Sequence, residues 1–324
     1  MIEILITEQV SNQRVDKFVR KQLNLAPLSF IYKLFRKKDV KVNHHWVTID
    51  YILQSSDVLQ IYVTEEQLAE FDKPKPLIKT TFNHQIVFED EHLLIVNKPS
   101  GILVHGDASE KRKTLANEVL NYLYGKGEFD PSTKGFTPAP AHRLDRNTGG
   151  LVLFAKDLMS LQTLEALFKD KDDIAKYYLA LVKGHTPNEG TINSNLSKDS
   201  ETGTVRVDEN GLNAITHYQR LEIIGDYSLL KVQIVTGRTH QIRVHLQSIN
   251  HPIVGDPKYG DYNLNRKLNR LYGFNHQFLY AVEVSFQDVP KPLKYLSGKT
   301  FAVSLPLEAE NLLKSLKNLE EKHD

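Results

Sequence analysis

Val15, Phe18, Val19 and Leu23 recur at the three- and four-residue spacing that puts them on one face of a helix. Ile31, Leu34 and Phe35 repeat the pattern, with Ser29 as the expected N-cap. "VKVNHHWV" and "DVLQIYV" then alternate apolar and polar residues, as strands do. Further on, Leu93 to Val96 reads as a buried strand, Lys98-Pro99-Ser100-Gly101 as a turn and "ILVHG" as a second strand. "LANEVLNYLYGKG" predicts a helix ended by glycine, and "LVLFAK" a strand. "LMSLQTLEALFKD" carries Leu158, Leu161, Leu164 and Phe168 on a helical stripe. "AKYYLALVKG" and "LLKVQIV" are strands. "TGRTHQIRVHLQSIN" is a turn followed by a helix whose inward face is Ile242, Leu246 and Ile249. "LEAENLLKSLKNLEEKHD" closes the chain as a charged amphipathic surface helix. Strands outnumber helices and the two are not evenly interspersed. The expected class is therefore α+β with a mixed, mainly antiparallel sheet, not a doubly wound fold.

One stretch breaks the pattern. "TEEQLAEFDKPKPLIK", Thr64 to Lys79, is dense in charge and carries Pro74 and Pro76, which suits an exposed linker. The expected organisation is a small unit over 1–63, a linker over 64–82, a large domain over 83–307 and a terminal helix over 308–324. A chain of 324 residues, 40% of them hydrophobic, can fill such a core. Cysteine is absent, which excludes disulfides, thiolate zinc sites and a thiol nucleophile. The first residues lack the basic flank and apolar core of a secretory signal, and no apolar run approaches the roughly 18 residues that span a bilayer. A cytoplasmic protein without membrane contact is the expectation.

The formal charge of +1 means that any nucleic-acid surface must come from local clustering. Up to Val63 there are nine Lys and Arg against six Asp and Glu. The excess gathers where Lys33, Arg36, Lys37 and Lys38 crowd the polar side of the second helix, a footprint for phosphate contacts.

The chemistry-bearing residues lie later. "HRLDRNTGGLVLFAK" sets Asp145 between Arg143 and Arg146 at the entrance to a strand. Most such carboxylates cap a turn or pair at the surface. A functional one must stay ionised in a cleft, which neighbouring arginines favour, and it could then act as a nucleophile. Arg238, at a helix start beside Gly237 and Thr239, can meet phosphate. Arg243 sits one turn further on a helix with an apolar face; a buried arginine needs a carboxylate, and Asp145 is the natural partner. Tyr177 and Tyr178 are neighbours in a strand, so only one can face a given cleft, where its ring could stack on a base. His240, His245 and His251 lack the spacing of a metal pair on a helix. No glycine-rich phosphate loop follows a strand, so ATP and NAD are not expected.

Taken together, these segments resemble a known family. "HRLDRNTGGLVL", "KYYLALVKG" and "GRTHQIRVH…HPIVGDPKYG" are similar to the three signature segments of the RluA-type pseudouridine synthases, and "VNKPSGILVHG" to that family's leading strand and turn. The N-terminal unit resembles an S4-like α/β RNA-binding domain, with Asp39 where glycine is usual. The resemblance implies that Asp145 is the catalytic aspartate and that Arg143 contacts the RNA backbone. It implies that Tyr178 stacks on the target uracil and helps move its proton, and that Arg243 pairs with the aspartate. Thr148-Gly149-Gly150-Leu151 departs from the usual Thr-Ser-Gly-Leu, so an altered fine positioning is expected. Turning uridine into pseudouridine exchanges a carbon–nitrogen for a carbon–carbon bond with no net oxidation, and so implies no cofactor and no metal. By family analogy the implied partner is large-subunit ribosomal RNA, bound by a monomer. The alternatives are a transfer-RNA synthase, a non-catalytic RNA-binding or ribosome-assembly protein of the same fold, and, on the histidines, a metal-dependent hydrolase.

Overall fold

The computed structural model describes residues 1–73, 76–133, 135–170 and 172–320. Pro74 of the expected linker and residues 321–324 of the terminal segment lie outside the described residues. The chain divides into two compact units: 1–82 with 117–139 and 155–162, and 83–116 with 140–154 and 163–324.

In the first unit β1 (Ile2–Leu5) is followed by α1 (Val15–Gln22), α2 (Leu28–Arg36), β2 (Val40–Val42), β3 (His45–Trp46), β4 (Val58–Ile61) and α3 (Glu65–Phe71). The strands form an antiparallel sheet in the order β1-β4-β2-β3. Val15, Phe18, Val19 and Leu23 are buried as expected, and with Ile31 and Leu34 they pack on Val40, Val42, Leu59 and Ile61. Three local readings change. Helix α2 starts at Leu28 and is capped by Pro27, whose carbonyl accepts from Phe30 and Ile31, so Ser29 is an exposed first-turn residue and caps nothing. "VKVNHHWV" is two strands, not one, because Asn43 and His44 take positive φ and make the tight turn between them. Within the stretch read as linker, Thr64 and Gln67 make a reciprocal capping box that starts α3. Leu68 and Phe71 of that helix pack against the unit's core.

Along the rest of the chain run β5 (Gln85–Glu89), β6 (Leu93–Lys98), α4 (Leu115–Gly125), β7 (Ala139–Pro140), β8 (Gly149–Ala155), α5 (Leu158–Asp170) and β9 (Ile174–Lys183). There follow β10 (Glu189–Asn193), β11 (Leu196–Lys198), β12 (Val205–Val207), β13 (Ile215–Ile224), β14 (Tyr227–Ile234), α6 (Gln241–Ser248), α7 (Tyr262–Tyr272), β15 (Leu279–Phe286), β16 (Thr300–Ala302) and α8 (Leu307–Glu320). Among the described residues, the second unit is organised on a sheet in the order β10-β13-β14-β9-β15-β8-β6-β5. The pairs β10–β13, β13–β14, β14–β9, β9–β15 and β5–β6 run antiparallel, and β8 lies parallel to β15. The class is α+β with a mainly antiparallel sheet, as the strand-rich pattern indicates.

Here too the detail departs from the periodicity. "ILVHG" forms no strand; Leu103 makes a single bridge to Thr114, because Gly101 takes a positive φ and turns the chain out of the sheet. Residues 241–246 of α6 are all buried, so burial there is not confined to one stripe, while Gln247 and Ser248 are exposed and Ile249, past the helix end, is half-buried. Along α5 the deepest residues are Ser160, Leu164 and Leu167. Helix α8 buries Ala309, Leu312 and Leu316.

The join between β8 and β15 fixes where the preceding loop enters. Gly149 and Gly150 lie opposite Tyr280 and Ala281. Gly150 has φ +111°, and a Cβ there would overlap the Ala281 carbonyl. Gly150→Ala is therefore expected to destabilise the protein by at least about 3 kcal/mol, combining left-handed strain with a backbone clash, as read by urea unfolding.

Candidate active site

The loop from His142 to Thr148 enters β8 pinned at several points. Ala141 N donates to Leu153 O at 2.8 Å, and Thr148 N to Asp145 O at 3.1 Å. Leu144 is buried, and the side chains of Arg143 and Arg146 on either side are exposed. Beneath the loop lies Lys98, 1% exposed. Its ammonium donates to the carbonyls of Pro99, Ile102 and Arg146 at 2.9, 2.8 and 3.0 Å. Burial pushes the Lys98 pKa down to about 7, against the pull of the Asp145 charge. Gly101 N reaches the same Arg146 carbonyl at 2.9 Å. The residue after Asp145 is thus tied to the end of β6, which leaves the carboxylate few ways to point.

It points at Arg243. Nη1 of Arg243 donates to Asp145 Oδ2 at 2.8 Å. The other edge of the guanidinium is held by Asp256, with Nε to Oδ2 at 2.7 Å and Nη2 to Oδ1 at 2.9 Å. Asp256 Oδ1 also accepts the amides of Lys258 and Tyr259 at 2.9 and 3.0 Å. The Tyr259 ring lies under the guanidinium, 5.0 Å to its centroid. Side-chain exposure grades outward through this chain, 0% for Asp256, 6% for Arg243 and 27% for Asp145. Burial opposes the Arg243 charge, but the hydrogen bond and charge of Asp256, then those of Asp145, hold its pKa above the usual guanidinium value. Burial likewise favours a protonated Asp256. The Arg243 hydrogen bond and charge outweigh it and keep the pKa below the usual carboxylate value.

Asp145 opens into a cleft of about 570 Å³ within the second unit, a size usual for ligand sites. Arg143, Tyr178, Arg238 and Arg243 line it as well. Of the two neighbouring tyrosines, Tyr178 is the one in the cleft, held in β9 opposite Val232 and Ala281. Tyr177 turns away and takes the Lys231 ammonium over its ring at 4.3 Å. Burial, then the charge of Asp145, pushes the Tyr178 hydroxyl pKa up, so it stays protonated at neutral pH. Arg238 is exposed, with Nε donating to Asn213 O at 3.1 Å. Lys33, Arg36, Lys37 and Lys38 belong to the first unit, where all four are exposed on and just after α2.

The histidines do not converge. His245 is fully buried between Thr216 Oγ1 and Ser194 O, and His251 contacts Lys183 O. His240 is in the left-handed region at the start of α6, with Nδ1 2.8 Å from the Tyr259 hydroxyl and Nε2 3.9 Å from Asp145 Oδ2. Burial lowers its pKa against the pull of Asp145, so the ring is neutral at neutral pH.

Asp256, Lys98 and Tyr259 are additions that sequence reasoning did not make. A signal for the first existed. A guanidinium has five N–H donors, so one carboxylate cannot satisfy a buried arginine, and the second acid stands in the already conspicuous "HPIVGDPKYG". Gly149 also finds its explanation: a Cβ there would come within 2.9 Å of the Tyr280 ring, so the bulk of Tyr280 occupies the room that a side chain at 149 would need.

Thus a protonated tyrosine and a carboxylate hydrogen-bonded to a buried arginine line one cleft with basic walls, on an α+β sheet. The sequence model for the family described as RNA pseudouridylate synthase matches residues 92–248. The chain is 36% identical over 309 residues to the ribosomal large subunit pseudouridine synthase C of Vibrio cholerae, spanning 94% of this chain and 92% of that one. It is 32% identical over 324 residues to the Escherichia coli protein of the same name, spanning 98% and 96%. Among solved structures, human RNA Pseudouridylate Synthase Domain Containing 4 shares the fold with a TM-score of 0.55 at 24% identity, over 71% of this chain and 92% of that one. The chain belongs to the RNA pseudouridylate synthase family, isomerases that act on RNA. No helix among the described residues is long and apolar enough to cross a membrane.

Removing Asp256 strands a buried guanidinium. Asp256→Ala is expected to cost about 3–5 kcal/mol in urea unfolding. Because the folded-state pKa of Asp256 is depressed, its contribution is present above the ordinary carboxylate range and is lost as pH falls through the folded value. The variant should accordingly lose less stability than the wild type over that acid range.

Proposed function

We propose that this enzyme converts specific uridines of large-subunit ribosomal RNA to pseudouridine, with Asp145 as nucleophile. The observation that carries the reading is the 2.8 Å contact between Asp145 Oδ2 and Arg243 Nη1 at the wall of a cleft that also holds Tyr178. The large-subunit assignment draws support from relatives similar over nearly their whole length.

In this reading the target nucleotide leaves its stack, which costs a few kcal/mol, and phosphate contacts offset that cost. Arg143 and Arg238 make those contacts at the cleft, and Lys33, Arg36, Lys37 and Lys38 make them from the first unit. The everted uracil stacks on Tyr178. Asp145 attacks either the anomeric carbon or the ring, and both routes need a free carboxylate lone pair. Arg243 supplies the orientation: its own position is set by Asp256 on the side away from the cleft, so Asp145 is not required to hold it. The carbon–nitrogen bond breaks, the base turns, a carbon–carbon bond forms, the bond to Asp145 breaks and returns its carboxylate, and the proton displaced from the ring carbon goes to the freed nitrogen. Tyr178, protonated at neutral pH, can pass that proton by giving one and taking one.

The domain reading accompanies this. Residues 1–63 are an S4-like RNA-binding domain, 64–82 the connection, 83–307 the catalytic domain and 308–324 the C-terminal segment, in a protein that works as a cytoplasmic monomer.

Asp145→Asn keeps the shape and removes the charge. Pseudouridine mapping across ribosomal and transfer RNA should show the wild-type sites lost with Asp145→Asn, while RNA affinity stays within about threefold. Sites that persist with the variant would refute the nucleophile, and sites confined to transfer RNA would move the substrate. Tyr178→Phe keeps the stacking face and loses the relay. Single-turnover assays should find its chemical step slowed by about 100-fold or more with RNA affinity retained.

A further inference from the structure

Tryptophan occurs once in this chain, at Trp46, and 55% of the residue is exposed. It lies on edge strand β3, directly opposite Lys41 of β2. Val40 and Val42 point into the core, so Lys41 and Trp46 share the face of the sheet turned away from it. Tyr62, just past β4, adds a second exposed ring there, with the Lys41 ammonium 4.9 Å from its centroid. The ammonium of Lys38 stands 4.6 Å from the centroid of Trp46.

Lys38 arrives there by an unfavourable route. Lys38 N donates to Phe35 O and Asp39 N to Leu34 O, which closes α2 as a Schellman turn with Lys38 in the left-handed position at φ +63°. Glycine fits that position at no cost and lysine does not. An exposed apolar ring at a sheet edge is costly too. The two features meet at one spot, an indole with an ammonium over it, in the most basic part of the unit. Two acids belong to this face: Asp39, next to Lys38 and opposite Tyr62, whose amide donates to its carbonyl, and Glu3, two strands from Lys41 and engaged by Gln60 at 2.9 Å.

We propose that this face is a nucleotide-stacking site: an unpaired base of the RNA lies on Trp46, and its phosphates are met by Lys38 and Lys41. The proposal rests on the reading of the protein as an RNA enzyme and adds to it a site outside the cleft, for single-stranded RNA. A base offers a π-face whatever its identity and its phosphate offers charge, which matches a ring set among ammonium groups. A paired helix hides its base faces and matches only the charges.

Because Trp46 is the sole tryptophan, its emission in the full-length protein reports this site alone. A single-stranded RNA oligonucleotide of mixed sequence should quench it. The same sequence as a duplex should quench it weakly, and inorganic polyphosphate of equal charge should bind without quenching. With labelled single-stranded RNA, Trp46→Ala should weaken affinity about tenfold and Trp46→Phe much less. Lys38→Gly should weaken it without lowering the thermal midpoint, which separates lost binding from lost folding. Equal quenching by polyphosphate and RNA, or wild-type affinity in Trp46→Ala, would overturn the site. Pseudouridine formation in the same wild-type preparation keeps the two readings apart. An enzyme that isomerises uridine while Trp46 ignores RNA sinks the stacking site alone, and one that neither binds nor isomerises sinks both.

Discussion

The site depends on one guanidinium held from behind. Asp256, wholly buried, takes the Nε–Nη2 edge of Arg243 and leaves Nη1 for Asp145. An arginine paired with a single exposed carboxylate would be as mobile as that carboxylate. Here the mobility is removed at the buried end, where desolvation makes an unpaired charge expensive and the pairing correspondingly strict. Asp145 then meets a donor whose direction was set before it arrived. The cost of burying the Arg243 charge is offset largely by Asp256, whose carboxylate is itself held by the amides of Lys258 and Tyr259.

The backbone of the loop is treated in the same manner. Lys98 gathers three carbonyls from two separate stretches of chain, and Arg146 O receives both its ammonium and the Gly101 amide. The glycine pair at the start of β8 lets that loop run tight against β15, where a side chain at 150 has no room. These features are remote in sequence and adjacent in space. Long-range order of this kind confines a reactive group to a narrow range of directions, which is how a scaffold contributes to rate.

Much of this was legible before any coordinates. Apolar periodicity found α1 and α2, whose buried positions follow helical spacing, and located β9, β14 and α6, whose burial extends beyond what spacing describes. The meeting of Asp145, Arg143, Tyr178, Arg238 and Arg243 in one cleft followed from chemistry-bearing residues near element ends, together with a family resemblance. What escaped was decided by backbone geometry and by donor counting. The Asn43-His44 turn inside an alternating run needs positive φ at two residues other than glycine, which no alternation reveals. "ILVHG" looks like a strand and is not one, because after the turn before it the chain keeps a single bridge, from Leu103 to Thr114. Asp256 and Lys98 look like ordinary loop charges until one asks how every donor of a buried cation is satisfied.

The contact between position 149 and the ring of Tyr280 bears on how such a sequence can drift. A Cβ at 149 would meet that ring at 2.9 Å, so any side chain placed there has to be accommodated by a movement of Tyr280. The two positions are coupled, because what fits at one depends on the bulk at the other.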